Sequence, residues 1–144
     1  MRFVMVAACG LSLLLSGCGS GPRTAEVTGR ITFDGKPQAN VLIEFEPQQS
    51  VNGKVPAAAR GVTDADGRYR AFRTGKNLVG VAVGPAVVRV SAVQDSAARV
   101  DPRYANGGLS LEVVPGANVY DLDLPATPGK DWSPGQASSA ASKR

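Results

Sequence analysis

Between Thr24 and Leu124 apolar and polar side chains alternate in short runs, and turn residues stand between the runs. A chain patterned in this way is confined to half-buried strands, because only an extended backbone sends successive side chains to opposite faces. Val27, Gly29, Ile31 and Phe33 share one face and Thr28, Arg30 and Thr32 the other. Asp34-Gly35-Lys36-Pro37 supplies turn chemistry, and Val41, Ile43 and Phe45 then point inward against Glu44 and Glu46, which together read as a hairpin. A polar, Pro-containing loop over 47–58 leads to a weak strand at 59–63. Asp64-Ala65-Asp66-Gly67 follows as a turn into a strand over 68–73.

In that strand Tyr69 and Ala71 face one way and Arg68, Arg70 and Phe72 the other, so Phe72 breaks the pattern and marks a bulge or a strand end. The Gly-spaced stretch 75–85 has no clear assignment, although Val79, Val81 and Val83 can form a short extended piece. Val88, Val90 and Ala92 make the next inward face, then Leu109, Leu111 and Val113, and, after the turn Pro115-Gly116-Ala117-Asn118, Tyr120, Leu122 and Leu124. About seven short strands, with no convincing helix among them, predict an all-β fold, a β-sandwich.

The N-terminus follows different rules. Met1-Arg2 is followed by Phe3 to Leu15, thirteen residues without a charge. That is the length of a signal-peptide core and too short for a membrane-spanning helix. Leu15-Ser16-Gly17-Cys18 closes it and resembles the lipobox of bacterial lipoproteins. The resemblance implies cleavage after Gly17 and a diacylglycerol on the Cys18 thiol. Val6-Ala7-Ala8-Cys9 fits the same four-residue pattern, but only Phe3 to Met5 would precede it as an apolar core. Loss of Cys9 with the signal peptide leaves Cys18 no second cysteine to pair with, so a disulfide is not expected. Two or more acyl chains, at ~0.8 kcal/mol per buried methylene, anchor a protein without a transmembrane helix. Gly19 after Cys18, where an Asp would retain the protein in the inner membrane, fits sorting to the outer membrane.

The expected organisation is a signal peptide over 1–17, a lipidated tether over 18–23, a sandwich domain over 24–124 and a disordered tail over 125–144. The tail is rich in Pro, Gly, Ser and Ala, and its one large apolar residue, Trp132, is too little to offset its ordering entropy. Removing seventeen of 144 residues leaves 127, enough for one domain. Without Arg2 the side chains carry fifteen basic groups against twelve acidic ones. So mild an excess, with no basic block, gives nucleic-acid binding no support.

Three phrases carry a wider resemblance: Val27-Thr28-Gly29-Arg30-Ile31-Thr32-Phe33-Asp34-Gly35-Lys36-Pro37, Thr63-Asp64-Ala65-Asp66-Gly67-Arg68-Tyr69, and Val113-Val114-Pro115-Gly116-Ala117-Asn118. They resemble planctomycete-type lipoproteins with a carboxypeptidase-regulatory-like domain, which implies a transthyretin-like, seven-stranded sandwich over residues 24 to 124. The family's usual Gly-x-Tyr or Gly-x-His before the fifth strand is replaced here by Gly84-Pro85-Ala86. Most such proteins are anchored sandwiches without an assigned activity.

The chain contains no histidine, which removes Ser-His-Asp and Cys-His catalysis and the common zinc sites. Transthyretin-like hydrolases of hydroxyisourate rely on histidines, so that activity is not expected. Asp64-x-Asp66-Gly67 can be read as a calcium loop, but an EF-hand starting at Asp64 needs Gly and Glu where Tyr69 and Gly75 stand. A tight turn with Gly67 at positive φ is the simpler reading, and no metal or cofactor is expected. Arg68, Arg70, Arg73 and Lys76 form the basic cluster, read first as a solvated sheet face and second as a contact for anionic headgroups or acidic polysaccharide. The expectation is a monomeric, non-enzymatic structural or interaction module of the cell envelope, membrane-bound through Cys18, whose partner is an envelope protein or polysaccharide. The alternatives are a glycan-binding module, which needs an exposed aromatic strip, and a carboxylate-only hydrolase, which needs an Asp or Glu of raised pKa.

Overall fold

The computed structural model describes residues 22–73, 78–130 and 139–141; residues 1–17, expected as a signal peptide, and Cys18, Lys76 and Trp132 lie outside the described residues. The chain forms an all-β sandwich. In order its strands are β1 (Thr24–Phe33), β2 (Lys36–Pro37), β3 (Val41–Pro47), β4 (Ala59–Val62), β5 (Arg68–Arg70), β6 (Phe72–Arg73), β7 (Leu78–Val79), β8 (Val81–Ala82) and β9 (Gly84–Ala92). A short helix, α1 (Pro102–Gly107), separates these from β10 (Leu109–Val113), β11 (Ala117–Leu124) and β12 (Ser139–Ala141).

The first sheet is built on β1. One edge of this strand pairs in parallel with β11, from Glu26↔Ala117 to Phe33↔Leu124, and β12 lies outside β11. The other edge is covered by three short strands in turn: β8 at Thr24 and Ala25, β5 at Thr28 to Arg30 and β2 at Thr32 and Phe33. The second sheet runs β10-β9-β3-β4-β6-β7. Its centre is the antiparallel pair β3 and β9, from Val41↔Ala92 to Pro47↔Ala86. The inward faces of the two sheets meet in one core in which Val27, Ile31, Val41, Ile43, Phe45, Val88, Val90 and Val113 are fully buried. These are the alternate residues of the sequence pattern, as a half-buried strand requires. Leu111 is only partly buried and packs on the rim of that core.

The hairpin expected between β1 and β3 is corrected. The Asp34-Gly35 turn, with both residues at positive φ, joins β1 to β2 over only two pairs, Thr32↔Pro37 and Phe33↔Lys36. The chain then crosses at Asn40 to the other sheet, where β3 begins. Residues 68–73 also divide between sheets. The Ala71 N–H donates to Val27 O in the first sheet, while Phe72 pairs with Arg60 in the second. The chain returns to the first sheet at Gly80, whose φ of 113 suits this sharp corner to glycine, so Val79 pairs with Phe72 and Val81 with Ala25. Such crossings raise the count above about seven, to twelve strands among the described residues.

The expectation of no helix is also corrected by α1. Asp101 caps it, accepting the Arg103 N–H at 2.9 Å, and Pro102 occupies its first turn, where a missing N–H costs nothing. The helix is kept because Tyr104 plugs the end of the core against Phe33, with ring centroids 6.2 Å apart. The segment after Leu124, expected as a disordered tail, makes defined contacts as far as Gly129, and Ser139–Ala141 pairs with β11. Tyr104 donates to Pro125 O, and the Arg103 guanidinium donates to the carbonyls of Pro128 and Gly129.

Candidate functional site

Cys18 lies outside the described residues, but the start of the first strand, a few residues on, does not. Arg23 O already accepts the Val83 N–H at 2.9 Å, and Thr24 pairs with Ala82. The N-terminal end of the described domain is thereby fixed beside β8, one corner from β7.

Next to that corner a groove of about 610 Å³ opens between β4 and β5, strands of different sheets that do not pair with each other. Its lining includes Arg60, Val62, Asp64, Arg68, Arg70 and Phe72. Gly61 allows the close approach: a Cβ there would stand 2.8 Å from Arg70 O. Val62, Phe72 and Val79 are 50%, 41% and 40% exposed, unusual for large apolar side chains, and they lie on three successive strands of the second sheet. Arg70 places its guanidinium carbon 5.9 Å from the Phe72 ring centroid and pairs with Glu26 at 2.8 Å. Arg60 pairs with Glu44, and Arg68 has no ion pair among the described residues.

The expected basic cluster is thus partly regrouped. Arg68 and Arg70 share the groove as the alternation predicts, the side chain of Arg73 and all of Lys76 lie outside the described residues, and Arg60 joins from a separate strand. Sequence spacing gives no sign of Arg60, because only the fold brings β4 beside β5. The exposed Phe72 does have a sequence signal, its place out of step after Tyr69 and Ala71.

Asp64 is committed to a turn. Its Oδ1 accepts the N–H groups of Asp66 and Arg68, both at 2.9 Å, its carbonyl accepts Gly67 N–H, and Gly67 has φ 74. The Asp66 carbonyl accepts Arg30 Nε–H at 2.8 Å. Both Asp residues are therefore held as turn elements.

Other polar groups serve the scaffold. Buried Asn118 accepts Val114 N–H and donates to Val114 O, Gly116 O and Glu26 O, which fixes the turn before β11. Hydrogen bonds from Thr32 and Gly35 hold the Asp123 carboxyl below its usual range, and the Arg103 side chain does the same for Asp101. A general acid needs the opposite shift. Burial pushes the Tyr104 hydroxyl up to about 12 and raises Tyr69 further. No family model, curated protein or solved structure matches this chain.

Proposed function

We propose that the protein is a lipid-anchored, non-enzymatic module of the cell envelope, a carboxypeptidase-regulatory-like sandwich held at the outer membrane through Cys18. The observation that carries this reading is the lipobox Leu15-Ser16-Gly17-Cys18, placed so shortly before Arg23, where the sheet begins. At full extension the tether spans at most roughly 18 Å, so acyl chains on Cys18 keep the domain against the bilayer surface. The non-enzymatic part rests on the absent histidine and on carboxylates shifted down where an acid catalyst needs one shifted up.

A glycan-binding module is the second reading, and Phe72 beside three arginines favours it. Stacking on sugars needs a row of rings, however, and Phe33, Phe45, Tyr69, Tyr104 and Tyr120 are all buried in the core. The test is metabolic labelling with a palmitate analogue, followed by membrane fractionation. Label should mark the wild type and be lost in Cys18→Ser, which should appear in the soluble fraction. Label that survives Cys18→Ser and disappears in Cys9→Ser would move the anchor to the earlier box, and an unlabelled wild type would defeat the lipoprotein reading.

A further inference from the structure

We propose that the corner formed by Val62, Phe72, Val79 and Arg70 docks on the phospholipid surface to which the chain is anchored, seating its apolar side chains among the headgroups and its guanidiniums on their phosphates. The inference rests on the lipid-anchor reading and adds to it a defined orientation of the domain.

The first argument is position. The tether enters the fold at Thr24, which pairs with Ala82, and Val79 stands three positions earlier. Val79 is therefore at most about 11 Å along the chain from Ala82, the residue that stands across from Thr24. Phe72 pairs with Val79 on one side and with Arg60 on the other, and Arg70 pairs with Thr28 of β1. Phe72 and Val79 thus lie on the edge of the second sheet that adjoins the tether's entry, and Val62, paired with Leu42, continues the patch along that edge away from it. The end of β11 at Leu124, paired with Phe33, lies at the opposite end of β1 from that entry.

The second argument is composition. Exposed aromatic and aliphatic side chains rimmed by arginine match a headgroup layer: the apolar parts enter its acyl boundary while planar guanidiniums bind phosphate oxygens in pairs. Glu26 and Glu44 neutralise Arg70 and Arg60 in the free protein. Both arginine side chains are 51% exposed, and such pairs contribute little, so a phosphate can replace the carboxylate. Charge alone is then too weak to bring a free domain to a membrane. The tether removes that requirement, because a short linker holds the patch at an effective concentration of order millimolar and a weak contact suffices.

The experiment uses the mature lipidated protein in vesicles of phosphatidylethanolamine and phosphatidylglycerol, and in micelles of an alkyl maltoside, which hold the acyl chains but present no phosphate. Vesicle flotation reports the anchor, and amide hydrogen exchange reports docking. Exchange over 60–62, 70–72 and 79–81 should be slowed in vesicles and not in micelles. Phe72→Asp, Val62→Asp and Arg70→Glu should each lose that protection while still floating and melting as the wild type does. Because these side chains are exposed, at least one variant should keep the fold. Flotation without protection at this corner would overturn docking and leave the anchor standing. Failure to float would overturn both. Equal protection in micelles would show self-association instead, and protection by soluble envelope polysaccharide but not by vesicles would make the patch a glycan site.

Discussion

Tyr69 and Tyr120 are joined across Gly29: the Tyr69 hydroxyl donates to the Tyr120 carbonyl at 2.9 Å, over the one residue of β1 that has no side chain. Gly29 pairs with Tyr69, and a Cβ on it would fall on the Tyr120 carbonyl oxygen and 2.8 Å from the Tyr69 hydroxyl. A side chain from β5 thereby crosses β1 to reach β11. Tyr69→Phe should cost about 1–3 kcal/mol, the penalty for leaving a buried carbonyl without its donor. Gly29→Ala should cost at least as much, and adding Tyr69→Phe should not rescue it, since the main obstruction is backbone. Urea melts of both single variants and the double variant check this, and rescue in the double variant would contradict it.

The turn from Asp64 to Gly67 makes ordered demands. Gly67→Val should exceed the roughly 1–2 kcal/mol of a positive-φ penalty, because its Cβ would also meet Ile31 O. Asp64→Ala should cost about 1 kcal/mol or more by removing the acceptor of two N–H groups. Asp66→Asn should be nearly neutral. Melts in millimolar calcium and in chelator should coincide for all four proteins; a wild-type gain in calcium that vanishes in Asp66→Asn would reveal a metal site.

Stability should fall in acid for a reason traceable to Asp123 and Asp101. Both carboxyls have folded-state pKa values lowered by hydrogen bonds, chiefly from Thr32 and from Arg103. A lowered folded pKa gives stability that is present above the unfolded value of about 3.9 and is lost as pH falls through the folded value. Denaturant melts from neutral to acid pH should therefore show a steeper loss for wild type than for Asp123→Asn or Asp101→Asn, with the curves converging at low pH. Parallel curves would assign the acid sensitivity elsewhere.

Arg103 ties α1 to the segment after β11. It bonds Asp101 as well as the carbonyls of Pro128 and Gly129 at 2.6 and 2.8 Å. Arg103→Ala should accelerate amide exchange and proteolysis over 125–130 while leaving β3 and β9 protected. Arg103→Lys should not restore protection, since one ammonium lacks the planar fork that serves three partners.

The inward faces of β1, β3, β9 and β11 could be read from the sequence because alternation is a local property of an extended chain, visible at Val41, Ile43 and Phe45 without any knowledge of neighbours. Membership of a sheet is not local. The crossings at Asn40, Ala71 and Gly80 depend on which strands lie ready to receive the chain, so β3 reads as the partner of β1 while its true neighbours are β4 and β9. The helix carries its signal in Asp101-Pro102, but one so short has no room for a helical period, and what holds it is the burial of Tyr104. At the candidate site Arg68, Arg70 and the irregular Phe72 were legible; Arg60 and Val79 join them only through pairing across sequence gaps.

The parallel pairing of β1 with β11 gives the sandwich a mechanical character. Thr24 and Leu124 stand at opposite ends of this pair, so tension applied between the two ends slides the two strands past each other and loads their hydrogen bonds together. Traction applied at Thr24 and Ala117, at one end of the pair, would part the bonds one after another. Force spectroscopy should give a distinctly higher rupture force for the first geometry, and equal forces would contradict the expectation. If Cys18 carries the proposed anchor, a pull from the far end would load the domain in the geometry in which it best resists unfolding.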